Sequence, residues 1–483
     1  MGKIMNYSEI KKLRQQYKIS QINLSKMSGY SPATISNWEL GKTVPSSEDI
    51  SVLFSALQES INNIESNTFD VRKKRITIDG SKKGTPKPIQ SAEDYLSRLK
   101  HREGIGNTDY VRTLSNIYQS AQKPVALNAP KTLALFSGCG GMSLGFAAEG
   151  YNLIGHVEIE PSANAIYEDN FPNSMLLEKD ICLITDEDLK KWENEYGPID
   201  VIIGGPPCQG FSLAGKRDPN DIRNQLYKYY VHIVAILRPK VFVMENVRLL
   251  TSMKTPDGTL FIENILSAFQ QEGYTVTKEE INTYEYGVPQ SRERIILVGV
   301  RNDINQGNFV FPLPTHNISK PNQTPVVLDC KQALTFRDAT HDLPNIESGE
   351  SSTDPLHWSV VHPEHVIRWL KNVPEGCSAH ENKDPSLRPP SGFNTTYKRI
   401  IWDEPCSTIS TNFSMISGCR NVHPTATRSL TIREAARVQS FPDEFIFEGN
   451  WGNIRKAIGN AVPPIFAKKL AEEIFSQLLS EDV

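Results

Sequence analysis

The sequence contains no run approaching 18 apolar residues, so nothing in it reads as a transmembrane helix. Its opening stretch, MGKIMNYSEIKKLRQQ, lacks the apolar core that a secretory signal requires. Cysteine is sparse: seven in 483 residues, an odd number, scattered, with no C-x-x-C pair. That scarcity argues against a disulfide framework and against a structural zinc site, and it fits a reducing cytoplasm. Internal repeats and long low-complexity tracts are absent as well, and no G-x-G-x-x-G occurs where a first strand would end. What remains is ordinary globular material, 39% hydrophobic and 22% charged, long enough for two to four domains.

The formal charge of −4 conceals an asymmetry. Residues 1–130 carry 19 Lys/Arg against 12 Asp/Glu, and the rest of the chain carries 33 against 44. A basic N-terminal part hints at a polyanionic partner, although a solvated basic linker accounts for the charge equally well. Within 6–58, apolar residues recur at helical spacing: Ile10, Leu13 and Tyr17, then Ile22, Leu24 and Met27, then Ile35 and Trp38, then Ile50, Leu53, Phe54 and Leu57. Gly29 marks a turn, and Ser31-Pro32 reads as a cap followed by a first-turn proline. Two short helices on a glycine-containing turn make a helix-turn-helix. The run from Ser20 to Pro45, SQINLSKMSGYSPATISNWELGKTVP, resembles the phage-repressor helix-turn-helix family. The resemblance implies that Ser31, Pro32, Ala33 and Asn37 face base edges in the major groove, while Gln21, Thr34 and Ser36 contact phosphates.

This places an all-α DNA-binding domain over 1–60, followed by a linker over 61–130 with a short helix from Ala92 to Arg102. From Lys131 the pattern changes. TLALFSG, NLIGHVEI, IDVIIGG, KVFVMEN and RIILVGV are short, β-branched-rich and bounded by turns, with helix-like stretches at 143–150, 161–170 and 224–238 between them. Alternating strands and helices predict an α/β doubly wound sheet over 131–300 and 428–483. Residues 301–427 lose the alternation and hold seven of the ten histidines, which predicts an inserted irregular domain. The histidine spacing matches no metal-ligand set, and no metal is expected. An amphipathic helix carrying Ile465, Phe466, Leu470, Ile474 and Leu478 closes the chain.

The candidate chemistry lies at strand ends. The first strand runs into Phe136-Ser137-Gly138-Cys139-Gly140-Gly141, glycine-rich enough for the backbone to approach a ligand. Glu158 ends the next strand twenty residues after Gly138, where an acid can accept hydrogen bonds from ribose hydroxyls. Asp180 and Ile181 follow the third strand candidate and could hold an adenine. Each acid alone could equally be a strand cap; together they suggest an adenosine-containing cofactor. Cys208, in GGPPCQGFS directly after the strand IDVII, sits where ligands bind, and its thiolate would be a nucleophile. The other six cysteines read as inert.

GGPPCQGFS, MENV at 244–247, QSRERIILVG from Gln290, RSLTIREAARVQSFPDEF over 428–445 and GNAVPP from Gly459 together resemble the cytosine-5 DNA methyltransferase family, in the family's order. The resemblance implies a Rossmann-like, S-adenosylmethionine-dependent methyltransferase fold with 301–427 as its target-recognition domain. It assigns Cys208 to attack on cytosine carbon 6 and Glu245, which would need to carry a proton, to nitrogen 3. Arg294 would bond the cytosine carbonyl, and Arg292 would brace Cys208 or the ring. For the cofactor it implies Phe136, Gly138, Gly140 and Gly141, with Glu158 on the ribose and Ile159 against the adenine. The family often has an aromatic residue at Ile159, so stacking there is weaker. Asp180, Ile181, Pro207, Leu226, Asn460 and Val462 complete the cofactor set, and Gln209, Ser212, Arg223 and Thr408 would face DNA. The target base would be flipped out of the duplex.

The leading expectation is therefore a bacterial restriction-modification methyltransferase, cytoplasmic and nucleoid-associated, with double-stranded DNA and a cognate endonuclease as partners. The N-terminal domain is expected to regulate transcription, as a dimer on an operator. Two alternatives stay open on the residues: an RNA cytosine-5 methyltransferase, and a transcriptional regulator with an inactive catalytic half.

Overall fold

The computed structural model describes residues 7–16, 19, 21–39, 42–58, 85–207, 225–255, 258–304, 308–318 and 330–480. They fall into two compact units, 1–82 and 83–483. The first comprises α1 (Tyr7–Gln16), α2 (Gln21–Ser28), α3 (Pro32–Glu39) and α4 (47–58). Its core is Ile10, Ile19, Leu24, Ile35, Leu53, Ala56 and Leu57, with Leu13, Trp38, Ile50 and Phe54 packed around it. Gly29 turns the chain between α2 and α3 at φ 79°, a left-handed geometry that glycine adopts without a Cβ clash. The expected core position Tyr17 and the side chains of Ile22 and Met27 lie outside the described residues.

In the second unit the stretch expected as linker is, from residue 85 onward, part of the same compact body as the sheet. It forms α5 (Ala92–Lys100), capped by Ser91, and α6 (Asp109–Ala121), capped by Thr108. Then follow β1 (Lys131–Leu135), α7 (Gly141–Ala148), β2 (Asn152–Val157), α8 (Pro161–Asn170), β3 (Met175–Glu178), α9 (Asp186–Tyr196), β4 (Val201–Gly204), α10 (Leu226–Leu237), β5 (Val241–Val247) and α11 (Phe261–Gln271). An antiparallel extension adds β6 (Tyr274–Asn282) and β8 (Glu293–Arg301), and between them the two-residue β7 (Gln290–Ser291) belongs to a separate two-stranded sheet.

The seven-stranded sheet has the order β3-β2-β1-β4-β5-β8-β6. Its first five strands are parallel; β8 runs antiparallel to both β5 and β6. Strand periodicity sends alternate residues to opposite faces. Ala134, Val243, Ile296 and Val298 join one core, and Leu135, Phe242, Met244, Ile295 and Leu297 join the other. The strand order reverses between β1 and β4, the switch point at which doubly wound sheets open a crevice at their carboxyl edge.

Residues 301–427 carry little regular structure among those described: β9 (His316–Asn317), β10 (Lys331–Gln332), α12 (Phe336–Thr340), α13 (Glu364–Leu370) and β11 (Cys406–Ser407). A small core of Val366, Leu370, Val373, Ala379, Tyr397, Ile416 and Val422 holds one part. The remainder, including Phe336, Leu356, Trp358 and Ile409, packs into the main core. The chain closes with α14 (Ile432–Val438), α15 (Trp451–Asn460) and α16 (Pro464–Ile474). A buried ion lattice ties α14 to its surroundings: Arg433 to Asp354 at 2.9 Å, and Arg437 to Asp443 and Asp342, each at 2.7 Å. The α5–α6 segment completes the lattice, with Arg102 on Asp443 at 2.5 Å and Tyr95 Oη donating to the Asp443 carbonyl while accepting from Arg433.

Candidate active site

The carboxyl ends of β1, β2, β3, β4 and β5 converge on one edge of the sheet. After β1 the backbone enters the left-handed region at Phe136 (φ 51°), Gly138 (φ 56°) and Gly140 (φ 93°). Such strain at a non-glycine residue marks a loop held in place by its surroundings. The Glu158 carboxylate, just past β2, accepts from the Gly138 amide at 2.8 Å and from the Glu160 amide at 2.8 Å. Burial raises the Glu158 carboxyl above the ordinary range, and those two amide bonds oppose the rise. Ile159 beside it is 64% exposed, an apolar side chain open at the crevice. Beyond β3, Asp180 caps a short helical turn by accepting from the Cys182 amide at 3.0 Å, and Ile181 is buried. From the C-terminal side the GNAVPP segment abuts the same loop: a Cβ on Gly141 would run into the Val462 carbonyl. Asn460 is exposed, and Val462 and Leu226 are half-buried.

The second cluster lies at the ends of β4 and β5. Glu245 Oε1 meets Arg294 Nε at 2.8 Å, a pair made possible because Arg294 enters β8 opposite Val247, two residues along from Glu245. A Cβ on Gly205 would lie 2.9 Å from Glu245 Oε2, so glycine lets the loop after β4 pass directly over this carboxylate. Asn246 Nδ2 donates to the Pro206 carbonyl at 2.9 Å and fastens that loop to β5. Pro207 is half-buried at its end. Cys208, Gln209, Ser212 and Arg223 lie outside the described residues.

Arg292, expected to brace the nucleophile or the ring, points into the protein and is 2% exposed. Its Nη1 donates to the Ile409 carbonyl at 3.3 Å and its Nη2 to the Gly459 carbonyl at 3.1 Å. Desolvation, then the neighbouring Arg294, pushes its guanidinium below the usual arginine range. Thr408 is exposed, and its Oγ1 donates to the Ser291 carbonyl at 2.8 Å, beside the parallel pairing of β11 with β7. Sequence reasoning passed over Asn246, Gln290 and Gln439. All three sit inside the quoted blocks, but the two glutamines meet each other across 149 residues and Gln290 meets the Ile409 amide across 119, and no local pattern announces them.

In the helix-turn-helix unit, Ser31 caps α3: its Oγ accepts from the Thr34 amide at 3.1 Å and pairs with Thr34 Oγ1 at 2.8 Å. Asn37 and Ala33 are exposed on α3, with Ser36 half-buried. Gln21 Nε2 donates to Glu39 Oε2 at 2.8 Å, and Glu39 is also paired with Arg14. The Pro32 side chain lies outside the described residues. Among the described residues, no cluster of His, Cys, Asp and Glu could hold a metal, and no helix is long and apolar enough to cross a membrane.

Comparison with known proteins agrees with both units. The family model of C-5 cytosine-specific DNA methylases matches residues 130–476, and a helix-turn-helix model matches residues 10–64. The chain is 36% identical over 350 residues to the type II methyltransferase M1.HphI of Haemophilus parahaemolyticus, covering 72% of this chain and 87% of that protein. It is 34% identical over 379 residues to the type II methyltransferase M.DdeI of Desulfomicrobium norvegicum, covering 70% and 87%. Among solved structures, a prophage-encoded Escherichia coli protein described as a DNA modification methyltransferase superposes with a TM-score of 0.55 at 26% identity, covering 73% of this chain and all of that one.

Proposed function

The chain belongs to the C-5 cytosine-specific DNA methylases, and from that premise we propose that it methylates carbon 5 of a cytosine flipped out of a specific duplex sequence. The observation that carries the reading is a juxtaposition. The Glu245–Arg294 pair faces the loop leading to Cys208, on the same sheet edge as the Gly138–Glu158 cradle.

The cradle fits S-adenosylmethionine. Space is open beside Gly138, Glu158 has lone pairs left after its two amide bonds, Ile159 offers an apolar face, and Ser137 Oγ is buried with no partner among the described residues. The bound cofactor supplies an electrophilic methyl group. Cys208 adds its thiolate to carbon 6, forming an S–C6 bond and moving electron density to carbon 5. Glu245 meets nitrogen 3 and Arg294 the carbonyl oxygen, so the charge gathered by the ring is neutralised in place. Carbon 5 takes the methyl group, with S-adenosylhomocysteine as the leaving product, and loss of the carbon-5 proton to water then expels the Cys208 thiolate, breaking the S–C6 bond and restoring the ring double bond. Asn246 and Arg292 act as positioning residues, the first on the 205–207 loop and the second on the wall that carries Thr408.

We assign sequence choice to residues 301–427. The named relatives are type II methyltransferases, which supports a restriction-modification role with a cognate endonuclease. The helix-turn-helix unit, whose exposed Asn37 sits on α3, is assigned to a separate operator, bound as a dimer. Bisulfite sequencing of DNA exposed to the protein and S-adenosylmethionine tests the catalytic reading. Protection of one cytosine within a fixed sequence is expected, and DNA with no protected cytosine overturns it.

A further inference from the structure

Two glutamines form a buried connection that the chemistry above does not use. Gln290 on β7 and Gln439 just after α14 are both fully inaccessible to solvent. Gln439 Nε2 donates to the Ile458 carbonyl at 2.7 Å and to the Ala461 carbonyl at 3.1 Å, and its Oε1 accepts from Gln290 Nε2 at 2.5 Å. Gln290 Oε1 accepts in turn from the Ile409 amide at 2.8 Å. Arg292 makes a second path between the same regions, from the Ile409 carbonyl to the Gly459 carbonyl. The two regions touch directly at Gly459, where a Cβ would lie 2.5 Å from the Thr411 amide nitrogen.

Both paths end on the two walls of the site. One end is the Thr408–Ile409 wall, the base wall, whose exposed Thr408 is assigned to the DNA; the other is the 458–462 turn, which carries Asn460 and Val462, assigned to the cofactor. Every polar atom of both amides is engaged and none reaches water. Turning either amide over would set donor against donor and acceptor against acceptor. Relative movement of the walls would therefore strand buried polar groups, which stiffens the connection beyond what apolar packing alone would give.

We propose that Gln439 and Gln290 are positioning residues that couple the base wall to the cofactor wall, so that seating the cytosine and seating the cofactor favour each other. The proposal rests on the functional reading above. Its test is the affinity of the full-length protein for S-adenosylhomocysteine, by titration calorimetry, with and without a duplex bearing the sequence that bisulfite sequencing finds methylated. In the wild type the duplex is expected to tighten S-adenosylhomocysteine binding by about 5–150-fold, the usual range of site-to-site coupling. In Gln439→Met, which keeps the volume and removes both donor and acceptor, the ratio is expected to fall to within about twofold of unity. Reciprocity requires the same loss when duplex affinity is read with and without S-adenosylhomocysteine. Where methionine unfolds the protein, Gln439→Glu, which keeps the acceptor toward Gln290, and Gln290→Met, at the other end of the connection, are expected to give the same loss. A merely structural role would weaken both ligands and leave their ratio intact. A folded variant with wild-type coupling, or a methylating wild type with no coupling, overturns the proposal. A wild type that methylates no cytosine overturns the functional reading instead.

Discussion

At the scale of single residues, the Glu245–Arg294 pair and the Cys208 loop make separable predictions. Cys208→Ser is expected to abolish methyl transfer, because a serine hydroxyl is far less ionised and less nucleophilic than a thiol. A duplex with 5-fluorocytosine at the target is expected to trap the wild-type protein covalently, since fluorine does not leave as a proton. An adduct with Cys208→Ser would show that another nucleophile acts. Glu245→Gln keeps the size of the side chain but removes the carboxyl group that pairs with Arg294 at 2.8 Å and meets nitrogen 3. A fall of about 10²–10⁴-fold in kcat is expected, with cofactor affinity little changed. The buried histidines titrate in a defined window. Desolvation lowers His362 to about 4 and His423 to about 3 from an ordinary 6.5. The unfolded chain therefore binds more protons than the folded one below pH 6.5, so stability falls as pH drops toward 4. His362 accounts for up to about 3 kcal/mol of that loss, at 1.36 kcal/mol per pH unit. Thermal unfolding from pH 7 to 5 checks the prediction, and His362→Gln should flatten the slope.

At the scale of elements, α5 and α14 share one electrostatic lattice. Arg433, Arg437 and Asp443 are fully buried, and removing one partner of such a set leaves a charge without compensation. Tyr95→Phe removes only the hydroxyl that bridges the Asp443 carbonyl and Arg433. A loss of about 1–3 kcal/mol is expected from denaturant unfolding, since Arg433 keeps Asp354 but loses one acceptor. In the N-terminal unit, α3 presents Asn37 to solvent while Ser31 spends its hydroxyl on the helix cap. Asn37→Ala is expected to weaken operator binding by about 1–3 kcal/mol, read by footprinting on DNA upstream of its own gene. Identical protection by wild type and variant would refute the assignment of Asn37.

At the scale of the whole molecule, the two units predict where the chain can be cut. Removing residues 1–84 leaves the catalytic unit with its α5–α6 segment, and the same cytosine is expected to be methylated. A chain beginning at residue 122 lacks Tyr95, Tyr110, Leu114 and Ile117, all buried against the catalytic body, and the lattice partner Arg102. It is expected to unfold at lower temperature or to aggregate, which differential scanning calorimetry and size-exclusion chromatography would detect. A soluble protein from 122 with unchanged Tm would show that the segment is dispensable.

The strands β1, β2, β4, β5 and β8 and the glycine loop after β1 were legible in the sequence, because fully buried strands read as short apolar runs and turns read as glycine. The family blocks likewise pointed to Glu245 and Arg294. The edge strand β6, with Lys278, Glu279 and Glu280 toward solvent, carried no such run and went unread. The α5–α6 segment read as linker because basic runs precede it and its apolar residues form few aliphatic clusters, and its polar attachment is made by tyrosine hydroxyls and an arginine whose partners lie more than 300 residues away. What the sequence determined by itself was local: periodicity, turns, caps and the order of the blocks. Which buried polar groups meet was decided only by the tertiary structure. An amide or guanidinium finds its partner by position in space, and the pairing of Gln290 with Gln439, or of Arg292 with Ile409 and Gly459, leaves no trace in the spacing of either residue along the chain.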